Sequence, residues 1–197
     1  MKIKTLTLFA LPILVSACAV SRVDPMTVPL SYTADTRNDA AVGSLQCNGI
    51  SQIQATDART DKVLGERVHE TKPLKAEVTT NSDVAAWVQS GVRTVLQENG
   101  FSFTSGPTLL LSVDTLATKE TIYHRSGYDA SIAMTAHLQS ASGKMCWTET
   151  IQGRGGNYGY SGSVQNYQQT LNEALANATV NMAQQQAFKD ALCKCGN

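Results

Sequence analysis

Tyr128-Asp129-Ala130-Ser131-Ile132-Ala133-Met134-Thr135-Ala136-His137-Leu138 changes side-chain character at nearly every step. The even positions are apolar, while Asp129, Ser131, Thr135 and His137 fall between them, the period of a strand with one buried face. Ser140-Ala141-Ser142-Gly143 then supplies a short turn, and Met145, Trp147, Glu149 and Ile151 resume an extended pattern, so the two segments form an antiparallel hairpin. Upstream, Leu109 to Ala117 begins after Gly106-Pro107 and has the mixed pattern of a central strand covered on one face and partly on the other.

Two helical patterns flank these strands. Asn81, Ser82 and Asp83 are cap candidates before Val84, Trp87, Val88, Val92, Val95 and Leu96, which share one face until Asn99-Gly100 ends the run. Gly91 lies beside that stripe, where a glycine costs up to about 1 kcal/mol against alanine, and marks a close approach to the sheet. Ser163 caps a long helix whose Val164, Tyr167, Leu171, Leu175, Ala178, Met182 and Phe188 face the core.

Ahead of the first helix, Leu45, Cys47, Ile53 and Ala55 recur with period two, so Gly43 to Ala55 reads as a long strand interrupted at Gly49. Thr60 to Glu70 is a charged turn leading to a second extended stretch through Val78. The expected fold is therefore α+β: a mainly antiparallel sheet of about five strands with two helices on one face, in the order β-β-α-β-β-β-α.

The N-terminus carries an address. Lys2 and Lys4 precede an apolar run from Leu6 to Val15, and Val15-Ser16-Ala17-Cys18 closes it as a lipoprotein signal. The run is shorter than the ~20 apolar residues a membrane span needs. Cleavage would remove residues 1–17 and leave Cys18 to carry diacylglycerol and an N-acyl chain such as palmitate. At ~0.8 kcal/mol per buried CH₂, three chains anchor a protein firmly. Ala19 follows, rather than an aspartate that would mark inner-membrane retention, so the expected location is the outer membrane. Residues 18–40, with Pro25 and Pro29 and no sustained periodicity, read as a tether with room for an edge strand, and 41–197 as a single domain.

Composition narrows the function. Loss of Lys2 and Lys4 leaves fourteen basic against sixteen acidic side chains, a mixed surface without the basic stripe that nucleic acid requires. Cys47, Cys146, Cys193 and Cys195 remain, and an oxidising compartment favours two disulfides, with both C-terminal thiols reaching back to Cys47 and Cys146 in undetermined order. A metal site on Cys193-Lys194-Cys195 is the weaker reading, since no histidine lies near it in sequence. His69, His124 and His137 are scattered, so no metal or other cofactor is expected.

Asp57, Arg59 and Asp61 alternate at a strand end, where one cation between two carboxylates could grip a polar partner. The favoured reading is an ion-pair and turn-capping cluster. Gly153 to Gly162 is a glycine-tyrosine segment in which Arg154, Tyr158 and Tyr160 could serve recognition, although a flexible connection is the favoured reading. It is no phosphate loop, lacking a following Gly-Lys-Ser/Thr.

The lipobox, Asp57-Ala58-Arg59-Thr60-Asp61, the capped helix through Asn99-Gly100-Phe101 and the final amphipathic helix, in that order, resemble the YajG-like family of uncharacterised bacterial lipoproteins. The resemblance covers nearly the whole mature chain. It implies a periplasm-facing outer-membrane lipoprotein and brings no catalytic residues. The cysteines and the glycine-tyrosine segment depart from the family pattern. The expected role is non-enzymatic: an accessory protein docking an unknown envelope partner through a sheet edge, the Asp57 to Asp61 turn or the glycine-tyrosine segment. The alternative is a binding module for a lipid or cell-wall fragment in a cleft between helix and sheet, and an envelope hydrolase ranks last.

Overall fold

A computed structural model of the chain describes residues 22–34, 47 and 49–195. Seven strands form one mixed sheet: β1 (Met26–Thr27), β2 (Gln52–Asp57), β3 (Gly65–His69), β4 (Lys75–Thr79), β5 (Thr108–Ile122), β6 (Ser126–Gln139) and β7 (Met145–Gly159). Helix α1 (Val84–Glu98) precedes β5, and α2 (Val164–Gln184) and α3 (Gln186–Cys195) follow β7. The spatial order is β1-β4-β3-β5-β6-β7, with β2 also paired to β5.

The expected antiparallel sheet of five strands with two helices is corrected on each count. β2 and β3 both run parallel to β5 and lie end to end along its flank, β2 against Thr108 to Val113 and β3 against Thr118 to Ile122. β1 is parallel to β4, while β3·β4, β5·β6 and β6·β7 are antiparallel. Period-two alternation reports a buried face and is silent on strand direction. The stretch expected to end at Val78 is a hairpin of two strands. The last helix breaks at Gln185, whose ψ of 128° is extended, so Phe188 belongs to α3.

Sequence signals close in range hold well. Asp83 Oδ1 accepts from Ala86 N at 3.0 Å, and Ser163 Oγ accepts from Asn166 N at 3.3 Å, each satisfying an otherwise unbonded helix N–H. Leu138, Ala136, Met134, Ile132 and Ala130 of β6 are buried under the helices with Leu109, Leu111 and Val113 of β5. The expected strand from Gly43 to Ala55 begins at Gln52. Gly49 ahead of it makes only an isolated bridge to Ser102, and residues 43–46 and 48 lie outside the described residues.

The glycine-rich segment is not a loose connection. β7 continues to Gly159, and a Cβ on Gly153 would lie 2.0 Å from Ala174 O, one on Gly155 2.2 Å from Thr170 O. The missing side chains let the α2 backbone lie directly on the strand. From that position α2 also closes the sheet edge: Asn181 Nδ2 donates to Gln152 O (3.2 Å), Asn177 Nδ2 to Arg154 O (2.8 Å), and Gly156 N to Glu173 Oε2 (3.1 Å). Side chains four residues apart on the helix meet every second residue of the strand, which removes an unpaired edge.

α1 and α2 run side by side. Trp87 Nε1 donates to the buried Asn172 Oδ1 at 3.0 Å, and a Cβ on Gly91 would meet Leu175 Cδ2 at 2.5 Å and Tyr32 Cδ2 at 2.7 Å. The close approach expected between Gly91 and the sheet is therefore to α2 and the N-terminal segment. Residues 22–34, read as tether, are a strap packed on the domain: Val28 is in the core, Gln168 Nε2 bonds Pro29 O at 2.8 Å, and Asn172 Nδ2 bonds Ser31 O at 3.1 Å. Two disulfides, Cys47 to Cys193 and Cys146 to Cys195, join α3 to the start of the domain and to β7. This is the partner order the sequence left open. Among the described residues no helix is long and apolar enough to cross a membrane.

Candidate functional site

β5 turns an acidic side chain toward the core. A bulge between Val113 and Thr115 switches the strand's parity, so the core-facing residues are Leu109, Leu111 and Val113 before it and Leu116, Thr118 and Glu120 after it. Glu120 is fully buried. Its Oε2 accepts from Arg67 Nε at 2.6 Å and Tyr167 OH at 2.9 Å; its Oε1 accepts from Gly162 N at 2.8 Å and stands 3.3 Å from Tyr128 OH. Tyr128 OH donates to the Tyr160 carbonyl and accepts from Ser163 N at 3.1 Å. Arg67 also donates to Asp24 O at 2.8 Å and to Ser161 Oγ at 3.3 Å.

Burial opposes the charge on Glu120, yet the Arg67 guanidinium and the Gly162 N–H outweigh it and hold the carboxyl below its ordinary range. Burial likewise opposes the charge on Arg67, and Glu120 more than restores it. Tyr128 and Tyr167 are pushed up, first by burial and then by the Glu120 charge. A carboxylate with its acceptor positions filled in this way is a clamp rather than a proton donor. It joins β3, β5, β6, the loop entering α2 and the incoming N-terminal segment.

The clamp holds the backbone of a loop at an end of the sheet that carries exposed aromatic rings. Tyr160, whose carbonyl it holds, is 90% exposed, Tyr158 is 68% exposed, and Tyr123 in the β5–β6 turn is 52% exposed. Tyr158 lies over Gly127, where a Cβ would sit 3.5 Å from its ring. Arg154, grouped with these tyrosines in the sequence, stands apart from them. It pairs with Ser131 on the sheet face away from the helices, in a shallow cleft of about 330 Å³ that Lys119 and Asp129 also line.

Asp57, Arg59 and Asp61 do not place one cation between two carboxylates. Asp57 instead binds two cations: Arg59 Nε and Nη2 donate to its oxygens at 2.8 and 3.0 Å, and Lys62 Nζ lies 3.1 Å away. These bonds, Arg59 foremost, hold the Asp57 carboxyl far below its usual range. Asp61 caps Val63 N at 2.9 Å, and Nη1 of the buried Arg59 has no hydrogen-bond partner. With Asp114, Arg59 and Asp61 line a second cleft of about 300 Å³ where β2 gives way to β3.

The remaining expected sites separate. The stripe of α1 is buried against α2 and the sheet, with Trp87, Val88 and Val92 in the core. His137 Nδ1 lies 2.8 Å from Thr148 Oγ1 on the uncovered face, and among the described residues no three His, Cys, Asp or Glu side chains converge as metal ligands. Cys18 lies outside the described residues. Sequence reasoning missed Glu120, Arg67, Tyr128 and Tyr167 as a group. Tyr128 and Tyr167 counted as apolar positions and Arg67 as part of a charged turn, and Glu120 lay past the strand end expected at Ala117, whereas β5 runs on to Ile122.

A family model described as an uncharacterized lipoprotein matches residues 36–192, in keeping with the resemblance read from the sequence. No curated protein matches the chain. Among solved structures, a protein of family DUF330 from Xanthomonas campestris shares the fold at 11% identity and a TM-score of 0.50, over 85% of this chain and 96% of its own. A minor lipoprotein from Acinetobacter baumannii superposes at 12% identity and a TM-score of 0.35, over 77% of this chain and 96% of its own.

Proposed function

The chain belongs to this family of uncharacterised bacterial lipoproteins, and from that premise we propose that it is a non-enzymatic accessory protein of the cell envelope. Cys18 carries its lipid anchor on the periplasmic face of the outer membrane, and the uncovered face of its sheet docks a partner protein. The observation that supports docking there is the one-sided arrangement of the helices. Among the described residues, three strands of fourteen or fifteen residues keep one face bare, with Lys119, Asp129, Ser131, Thr135, Thr150, Gln152 and Arg154 along it and both clefts beside it. The β7 edge, a docking route open to the sequence reading, is occupied by Asn181, Asn177 and Glu173 of α2.

Photocrosslinking in cells tests this reading, with the crosslinker at Thr150 or Arg154 on the bare face and at Gln184 on the exposed side of α2. A discrete envelope-protein adduct from the first two positions, absent from Gln184 and lost in Cys18→Ser, is expected. Equal adducts from all three positions, or none, would overturn it.

A further inference from the structure

The strand termini divide the molecule into two ends. One holds the Ser140 to Lys144 turn and both disulfides. The other holds the Tyr123 to Arg125 turn, the Glu70 to Leu74 turn and the Tyr160 to Ser163 loop, because His69 aligns with Ile122 and Ser126 with Gly159. The N-terminal strap enters at this second end: Met26 aligns with Val78, β4 runs against β3, and Arg67 holds Asp24 O beside the Ser161 hydroxyl. Arg22 is four Cα-to-Cα steps from Cys18, a reach of roughly 14 Å at full extension. An acylated Cys18 thus ties this end of the domain to within a few residues of the bilayer.

The surface there has the chemistry of a membrane interface. Tyr123, Tyr158 and Tyr160 are at this end, whereas Met145, the other exposed large apolar side chain among the described residues, is at the opposite end. Tyrosine suits the headgroup region because its ring is apolar and its hydroxyl wet. Arg22 pairs with Asp24 at 2.6 Å, and beyond that pair exposed Lys72 and Arg125 outnumber Glu70 at the same end, the sign that anionic headgroups attract. Weak contacts suffice once an anchor supplies a high effective concentration.

We propose that this end rests on the bilayer, with the Tyr158, Tyr160 and Tyr123 rings at headgroup depth and the disulfide end directed away from the membrane. The proposal rests on the lipid-anchored reading. The Glu120 clamp sets the geometry, since it fixes the Tyr160 loop and the entering strap in one hydrogen-bonded unit. β5, β6 and β7 then stand upright, roughly 45 Å long at about 3.3 Å per residue, and present the bare sheet face sideways.

The test uses the full chain, expressed with its leader and reconstituted in vesicles of phosphatidylethanolamine with a minority of phosphatidylglycerol, brominated near the headgroups. Tyr158→Trp, Tyr160→Trp and Met145→Trp are compared with the parent, whose own tryptophan quenching is subtracted. The expected result is loss of the added fluorescence for Tyr158→Trp and Tyr160→Trp and none for Met145→Trp. Equal quenching at all three positions, or none in protein that co-floats with the vesicles, overturns the orientation and leaves the anchor reading intact. Failure of the parent to co-float overturns the anchor reading, and this proposal with it.

Discussion

Arg67 Nε and Glu120 Oε2 stand 2.6 Å apart, with the Glu120 side chain fully buried and the Arg67 side chain 11% exposed. A buried pair adds little over an apolar substitute, but removal of one partner strands the other. Glu120→Gln should destabilise the domain by about 3 kcal/mol, and Glu120→Gln combined with Arg67→Met by less. Urea denaturation at neutral pH checks both.

The same pair sets an acid limit. Glu120 and Asp57 are depressed in the folded state, whereas unfolded carboxyls titrate near pH 4. The unfolded state therefore binds protons first as pH falls, so the stabilisation is full above the unfolded value and is lost on acidification through the folded one. The gap in melting temperature between the parent and Glu120→Gln should narrow as pH falls below about 4. A gap unchanged across the titration would contradict this account.

Gly153 and Gly156 lie three residues apart on β7 and should respond differently to alanine. At Gly153 the new methyl would lie 2.0 Å from Ala174 O, whereas the nearest atom at Gly156 is 3.8 Å away. Gly153→Ala should cost about 3 kcal/mol, the upper end of overpacking, because helix backbone must move. Gly156→Ala should be close to neutral by thermal denaturation.

Asn177 and Asn181 shield carbonyls on the β7 edge. Their joint replacement by alanine should cost about 1 kcal/mol per lost bond and free a strand edge for pairing between molecules. Light scattering at rising concentration should detect association that the parent lacks.

Cleavage after Lys194 would separate Cys193 from Cys195, so mapping of unreduced tryptic peptides should join Cys193 to the Cys47 peptide and Cys195 to the Cys146 peptide. The Cys146–Cys195 bond spans 49 residues, and its loss should cost about 4 kcal/mol by loop-closure entropy. Urea midpoints of Cys146→Ser/Cys195→Ser against the parent measure it.

The legible parts of the fold were those whose signals are local. Asp83 and Ser163 cap the helices they precede, and Tyr128 to Leu138 buries its even positions, because caps and alternation depend on a few adjacent residues. The parallel pairing of β2 and β3 with β5 depends on partners far along the chain. Glycine at 153 and 155 has loop composition, but its meaning here is contact with α2, a property of the pair of elements rather than of either. Asp57 ends β2, so the alternation that aligned it with Arg59 and Asp61 stops where the cluster begins. Glu120 lies beyond Ala117, where the strand was expected to end, and its facing is set by a bulge that no residue type announces.

The strap has a consequence for the order in which the molecule can mature. Pro29 and Ser31 bond Gln168 and Asn172, partners 139 and 141 residues away, and Tyr32 fills the notch at Gly91 between two helices of which the second forms late in the chain. This N-terminal segment is synthesised first yet has no seat until α2 exists. Contacts of such separation close late and slowly. The seam between α1 and α2 stays open, with Gly91 and Leu175 uncovered, until the oldest part of the chain folds back over the newest.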